Sequence, residues 1–416
     1  MRLNCSGRWV LARLLAAIAV CALHPPGALA QTAPAPPRVS LTLEEAVARG
    51  LAANARHLSR ELDLTIAAAD IDVAREVPNP TFTYESTRDA PNHAFVFSVP
   101  VETAGKRGRR VASGDATRGV VEADLARDTA DLRSDIRRAF YRLAAADRRS
   151  AVTHEIASEA ARVRDAAQAR VESGDAPRLD LVQAELALAR VKNLAATVDA
   201  ERSALEDELD VLIGLVPGTG IAVAGDPFTD GLSQAATMPA GANGVDLVAA
   251  DRRVAAANAG VDLAKALRTP DLALEAGLTY HAPPDFTYGW KAGFTLSLPI
   301  FTTHRAGLVH AEQFALQATR EATAVRAEAD GRTAAATARA GALADAVTRT
   351  THDILPAADT VADMAQASYS AGQTGMVALL QSLQTVAETR LEAVETALSF
   401  QLALADLERA RGAAKP

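Results

Sequence analysis

Aromatic residues make up 4% of the 416-residue chain, few for a globular core of that size, while Ala, Leu, Glu, Arg and Asp dominate. That balance belongs to long helices. Cysteine is absent after residue 30: the chain has two, Cys5 and Cys21, so the rest can form no disulfide. Basic excess is absent too, with 43 Lys and Arg against 51 Asp and Glu. Phosphate binding needs a basic footprint, so nucleic acid is excluded as a partner. Beyond the first 30 residues no run reaches the ~18 consecutive apolar residues of a membrane-spanning helix. If the chain meets a bilayer, helices do not cross it.

The N-terminus reads as a secretory signal over residues 1–30. Arg2, Arg8 and Arg13 precede the apolar run Leu14–Leu23, and Ala28-Leu29-Ala30 is a signal-peptidase site before Gln31. Losing three arginines and no acids takes the formal charge from −8 to −11. Cys21 is a candidate for lipidation, against which stands the branched Val20 where a small residue is favoured.

What the chain does contain, it contains twice. Phe97-Ser98-Val99-Pro100 returns 199 positions later as Leu296-Ser297-Leu298-Pro299, and Ala169–Gln183 returns 198 positions later as Ala367–Gln381. Two unrelated landmarks at nearly one offset predict an internal duplication. The first repeat spans 31–215, an irregular Gly- and Pro-rich connector spans 216–244, and the second repeat spans 245–416. Each repeat reads as a helix, two strands, a very long helix, a turn and a returning long helix.

The first helix is expected from about Thr42 to Val77, stopped by Pro78 and Pro80. In Thr81–Glu85 aromatic and polar residues alternate, and Phe95, Phe97, Val99 and Val101 share a face with Ser98 opposite. The second repeat alternates likewise from Asp271 to Tyr280 and from Trp290 to Leu298, with His281–Asp285 turning the chain. Four such strands per chain approach the 9 to 11 residues of a tilted transmembrane strand, with Tyr84, Tyr280 and Trp290 available as interfacial aromatics. Phe95, Phe97, Trp290, Phe294 and Leu296 are expected to face lipid, and Ser98, Thr295 and Ser297 the lumen.

Long helices are expected over about Arg109–Glu172 and Ala306–Ala371, the latter interrupted at Pro356. Some 65 residues of helix span roughly 100 Å, and such helices need partners along their length. The returning helices carry stripes at sevens: Val191, Val198, Leu205 and Leu212, then Leu379, Val386, Ala393, Phe400 and Leu407. A second stripe, Leu391, Leu398 and Ala405, predicts contact on another side. Gly174 and Gly372 suit helix ends, and Pro177 and Thr374 suit the start of the returning helices.

Four strands cannot close a barrel in hydrocarbon, where every edge must be paired. Three copies would supply twelve. No G-x-S-x-G, H-E-x-x-H, P-loop or G-x-G-x-x-G occurs, and the histidines after residue 30 are scattered, so the pattern points to no enzyme, resident metal or cofactor.

The S-V-P and S-L-P strand ends, the E-T-A-G-K-R-G-R-R segment at Glu102–Arg110 and the turns at Gly174 and Gly372 together resemble the TolC family of outer-membrane efflux proteins. The G-K-R segment is similar to its cobalt-zinc-cadmium branch. The resemblance implies a mainly α fold with a small β part: a homotrimer with a twelve-stranded transmembrane β-barrel, four strands per chain, above a long periplasmic α-barrel. It implies a passive export duct in the outer membrane of a Gram-negative envelope, bathed in lipid. Substrates would be handed over by a periplasmic adaptor and an inner-membrane pump of the resistance-nodulation-division type. Metal cations are one candidate cargo, drugs and other small molecules another.

By the same resemblance the turns at Ser173–Arg178 and Ala371–Gly375 form adaptor-docking surface and gate, using Gly174, Asp175, Pro177, Arg178, Asp180, Tyr369, Gly372, Thr374, Ala378 and Gln381. Tyr369 is expected to donate to the Asp180 carboxylate. Thr374 stands where the family pattern has a gating arginine, and Ala378 and Gln381 where it has acidic rings. Lys106, Arg107, Arg109 and Arg110 fall where strand meets helix, a position that would let them face lipid phosphates. A soluble periplasmic coiled-coil scaffold or adaptor is the competing reading. It explains the helices and leaves the four amphipathic strands without a purpose.

Overall fold

The structure, a computed structural model, describes residues 39–232, 244–282, 284 and 286–412. The expected signal at 1–30, with Cys5 and Cys21, and the connector's middle at 233–243 lie outside the described residues. In chain order the elements are β1 (Val39–Leu41), α1 (Leu43–Ala53), α2 (Ala55–Arg75), β2 (Thr81–Ser86), β3 (His93–Val101), α3 (Lys106–Glu172), α4 (Arg178–Leu212), β4 (Ile221–Val223), α5 (Val245–Ala266), β5 (Asp271–Ala282), β6 (Phe286–Ser297), α6 (Arg305–Arg349), α7 (Leu355–Ser370) and α8 (Met376–Arg411).

The helix expected over Thr42–Val77 is two helices. Thr42 opens α1 with a reciprocal cap: its hydroxyl accepts from Glu45 N–H, and the Glu45 carboxylate accepts from Thr42 N–H at 2.8 Å. Asn54 then leaves helical geometry and starts α2 by accepting from Arg56 N–H and His57 N–H, both at 3.1 Å. Its Nδ2 donates to the Leu212 carbonyl at 3.0 Å, pinning the break to the end of α4. In the other long segment a π turn at Thr350–Ile354 separates α6 from α7. Pro356, the second residue of α7, has no N–H to continue the ladder, and the widened turn just before it absorbs the loss.

Helix packing follows the stripes at sevens. Leu379, Val386, Ala393, Phe400 and Leu407 are all buried in α8. On the second stripe Ala405 is buried, while Leu391 and Leu398 pack at the rim of the Val152–Val394 cluster. The largest core gathers Leu41, Ile136, Phe140, Tyr141, Leu143, Leu209, Ile213 and Ile221 from β1, α3, β4 and the end of α4. The connector is therefore not wholly irregular: β4 pairs in parallel with β1 at Leu41↔Val223. The four expected strands omit this pair, so six are present among the described residues.

The other four strands form one antiparallel sheet in the order β2-β3-β5-β6. Thr81↔Ser98 in the first hairpin matches Asp271↔Ser297 in the second. The hairpins join along β3 and β5, from His93↔Tyr280 to Val101↔Leu272, so β2 and β6 are the sheet's edges.

Candidate functional site: sheet, junction and helix turns

Directly opposed residues of an antiparallel pair share a face, so the register sorts the sheet completely. One face carries Phe82, Phe95, Phe97, Leu274, Leu278, Trp290, Phe294 and Leu296; the other carries Thr81, Ser98, Glu275, Lys291, Thr295 and Ser297. The apolar face is open in the single chain: Trp290 is 81% and Phe294 68% exposed. Towards the hairpin ends aromatic rings gather on it, with Tyr84 stacked on Phe95 at 5.0 Å, His93 on Tyr280 at 6.0 Å, and Tyr280 beside Tyr288 at 5.2 Å. On the polar face Thr295 Oγ1 donates to Glu275 Oε1 at 2.5 Å. The arrangement suits a sheet with hydrocarbon on one side and water on the other.

Where the sheet meets the long helices, the structure takes Lys106 out of the lipid-phosphate reading of the basic segment. Lys106 is buried, and its Nζ donates to the Thr269 carbonyl at 2.8 Å and to Asp271 Oδ1 at 2.7 Å. Arg107 Nε donates to the Arg75 carbonyl, and Arg110 donates to the Ala74 and Glu76 carbonyls and to Glu102. These two arginines satisfy the last carbonyls of α2, which lack partners within their own helix. Arg109 pairs with Asp262 of α5 at 2.7 Å. Lys106 ties the start of α3 to the base of β5, and the three arginines tie it to α2, Glu102 and α5.

At the opposite ends of the long helices, the turns have the same geometry. Gly174 has φ +83° and Gly372 +71°, conformations that favour glycine. Each is followed by a residue whose N–H reaches back to the last turn, Asp175 to the Arg170 carbonyl and Gln373 to the Ser368 carbonyl. Pro177 is the cap of α4 as expected; Gly375, not Thr374, is the cap of α8, because Thr374 makes no capping bond and the helix starts at Met376. Asp175 accepts from Ser173 Oγ at 2.8 Å, Arg178 is exposed and Asp180 is half-buried.

The expected Tyr369–Asp180 hydrogen bond is absent. Tyr369 is buried with Val163, Ala167, Ala184, Met376 and Leu379, and its hydroxyl has no partner among the described residues. Arg170 makes the link instead: its guanidinium lies 4.9 Å from the Tyr369 ring centre, and Nη1 donates to the Tyr369 carbonyl at 3.2 Å. Sequence pattern points to no partner for α3 here, yet the residue carrying the contact is a lone cation one turn before Gly174. Ala378 and Gln381 open to different grooves: Ala378 and Thr374 line one of about 250 Å³ between α7 and α8, and Gln381 lines one of about 500 Å³ shared with α3 and α4.

Sequence reasoning also missed the polar residues that lock the connector. Gln401 is fully buried, and its Nε2 donates to the Pro227 and Asp230 carbonyls at 3.1 and 2.7 Å. The signal was a lone Gln inside Leu398–Leu404. Glu206 Oε1 accepts from Ile221 N–H at 2.6 Å, and Asp210 Oδ2 from Thr219 N–H at 3.2 Å. Burial pushes the Asp210 carboxyl above its ordinary range, and the nearby Glu206 charge adds to that. Glu408, held by Arg137 at 2.6 Å, is also raised by burial despite that pairing. Among the described residues no group of three or more His, Cys, Asp or Glu is placed to hold a metal ion.

The comparisons agree with this geometry. The profile of the outer membrane efflux protein family matches residues 239–413. The chain is 29% identical over 211 residues to the cobalt-zinc-cadmium resistance protein CzcC of Cupriavidus metallidurans, covering 47% of this chain and 50% of CzcC. It is 24% identical over 316 residues to the nickel-cobalt-cadmium resistance protein NccC of Alcaligenes xylosoxydans xylosoxydans, covering 72% and 69%. The CusC structure superposes with TM-score 0.76 at 17% identity, covering 89% of this chain and 92% of that one. The outer-membrane channel OprN superposes with TM-score 0.72 at 20% identity and 89% of both chains. The second repeat thus matches the outer membrane efflux protein family, and the chain shares the fold of CusC and OprN along most of its length.

Proposed function

We propose that this protein is the outer-membrane channel of a tripartite efflux system: a homotrimer that exports passively what a periplasmic adaptor and an inner-membrane pump deliver. The observation that carries the reading is the sheet. Its large aromatic and aliphatic side chains lie exposed on one face, its polar residues lie on the other, and among the described residues both edge strands have a neighbour on one side only. In a bilayer the apolar face meets lipid, and the edges must be paired. Three copies supply twelve strands, an even number of the kind such barrels use. A soluble scaffold would leave this face in water.

The turns at Gly174 and Gly372 form the periplasmic gate in this reading, with Arg170 and Tyr369 as its intrachain latch. The protein acts as a conduit, without a catalytic step. The names of CzcC and NccC favour divalent metal cations as the cargo class. The resemblance to the TolC family makes the pump one of the resistance-nodulation-division type.

Mass measurement on detergent-extracted protein should give three copies, and planar-bilayer recording should show discrete conductance steps. A stable, detergent-independent monomer with intact strand content would overturn the channel reading. A deletion strain should lose tolerance to cobalt, zinc or cadmium salts before it loses tolerance to drugs; the reverse order would replace the cargo and leave the channel standing.

A further inference from the structure

The segment Leu298–Phe301 follows β6 without belonging to a strand, yet Leu298, Ile300 and Phe301 are exposed, Phe301 to 99%. In the first repeat the matching stretch, Val99–Glu102, behaves differently: Val99, Pro100 and Val101 pair with Leu274, Ala273 and Leu272 of β5. What Leu298–Phe301 lacks is a strand equivalent to β5 beside it.

The chain contains that strand. The hairpin registers Thr81↔Ser98 and Asp271↔Ser297 make β2 the counterpart of β5, and Pro80 stands to β2 as Pro270 stands to β5. The outer edge of β2 has no neighbour among the described residues. We infer that Leu296–Phe301 of one copy adds to β2 of the next copy in the register that β3 and β5 use within a chain. Phe97↔Ala276 becomes Leu296 against Ser86, Val99↔Leu274 becomes Leu298 against Tyr84, and Val101↔Leu272 becomes Ile300 against Phe82. This rests on the trimer reading and adds to it which residues form the seam.

Three independent features agree. The face parity is kept: Leu296, Leu298 and Ile300 fall on the side of the barrel that carries Phe82 and Tyr84, whereas a slip of one residue would place them against the lumen. The anchoring bonds below β3 have counterparts. Thr103 Oγ1 donates to the Pro270 carbonyl and Lys106 Nζ to the Thr269 carbonyl. At the matching positions stand Thr302 and Pro80, and Arg305 and Asn79, donors and acceptors again, all exposed in the single chain. The helices show the same deficit. α5 is held between α3 and α6, whereas α2 packs on α1 and α3 and leaves Leu62, Ile66 and Val73 exposed along one side. The α6 of the adjoining copy takes the missing position. The pairing leaves the trimer seam without an ion pair like Lys106–Asp271, because Thr81 replaces the acid.

Disulfide trapping tests the register, with Cys5 and Cys21 replaced by serine. Directly opposed strand residues lie about 4.5 to 5.5 Å apart at Cα, within disulfide reach. Leu298→Cys with Tyr84→Cys, and separately Ser86→Cys with Leu296→Cys, should give covalent trimers after oxidation, reversed by reductant. Val99→Cys with Leu274→Cys should link within one chain and leave a monomer band. Leu298→Cys with Thr83→Cys, on opposite faces, should not link. Trimer mass in detergent is measured on the same samples. Trimers that link through the Thr83 pair, or through neither expected pair, overturn this seam and keep the trimer; loss of the trimer in the unsubstituted chain overturns the channel reading itself.

Discussion

Leu274 and Phe294 stand directly opposite each other on β5 and β6, while the next residue, Thr295, turns to the other face and donates to Glu275. A lysine at position 294 would therefore sit in hydrocarbon and a lysine at 295 in the lumen. Phe294→Lys should cost about 2 to 4 kcal/mol of barrel stability near the midplane, and Thr295→Lys much less. Folding of the two variants into lipid vesicles, followed by denaturant titration, measures the difference. Equal costs would mean that the two faces are wrongly assigned.

Arg170 joins the last turn of α3 to the last turn of α7 through its stack on Tyr369 and its bond to the Tyr369 carbonyl. Arg170→Ala should loosen the two turns and raise single-channel conductance in reconstituted trimers. Tyr369→Phe keeps the ring and removes a hydroxyl that has no partner among the described residues, so conductance should stay as it was. A rise with Tyr369→Phe and none with Arg170→Ala would place the latch on the hydroxyl.

Gln401 holds two carbonyls of the connector from inside the helix layer. Gln401→Leu fits the space but leaves those carbonyls without their donor, at a cost of about 1 to 3 kcal/mol. The thermal midpoint in detergent should fall, and limited proteolysis should shift to cleavage near Pro227–Asp230. An unchanged midpoint would show that water replaces the amide without loss.

Local pattern made much of this fold legible. Leu379 to Leu407 repeats every seven residues because one side of α8 is buried along its length, and the strands alternate because each face of the sheet has its own neighbour. Gly174 and Gly372 could be read because a left-handed residue leaves a mark in composition. Other features leave no such mark. β1 and β4 are three residues each and pair across 182 positions of sequence, so neither has enough length for a period. Asn54 breaks a helix by a side-chain contact to Leu212, which composition does not reveal. Charge alone reads Lys106 as facing solvent or phosphate, whereas the Thr269 carbonyl and the Asp271 carboxylate hold it at the junction. Resemblance ties Tyr369 to Asp180, whereas local packing brings its ring to Arg170.

Asp210 supplies a pH test that geometry and titration share. Its carboxylate is fully buried, accepts from Thr219 N–H through Oδ2, and leaves Oδ1 without a partner among the described residues. Burial raises its folded-state pKa, the Glu206 charge adds to the rise, and the hydrogen bonds from the loop at 218–219 oppose it. For an acid raised in the folded state, the stability contribution is complete below the ordinary carboxylate range and is lost as pH climbs through the raised value. Acidification from neutral pH towards 5 should therefore return part of the stability that the ionised Asp210 withholds. Asp210→Asn keeps an acceptor for the loop and removes the titration, so the gain in thermal midpoint on acidification should be smaller in the variant than in the native chain. Identical pH responses in the two would show that Asp210 does not change its charge over this window.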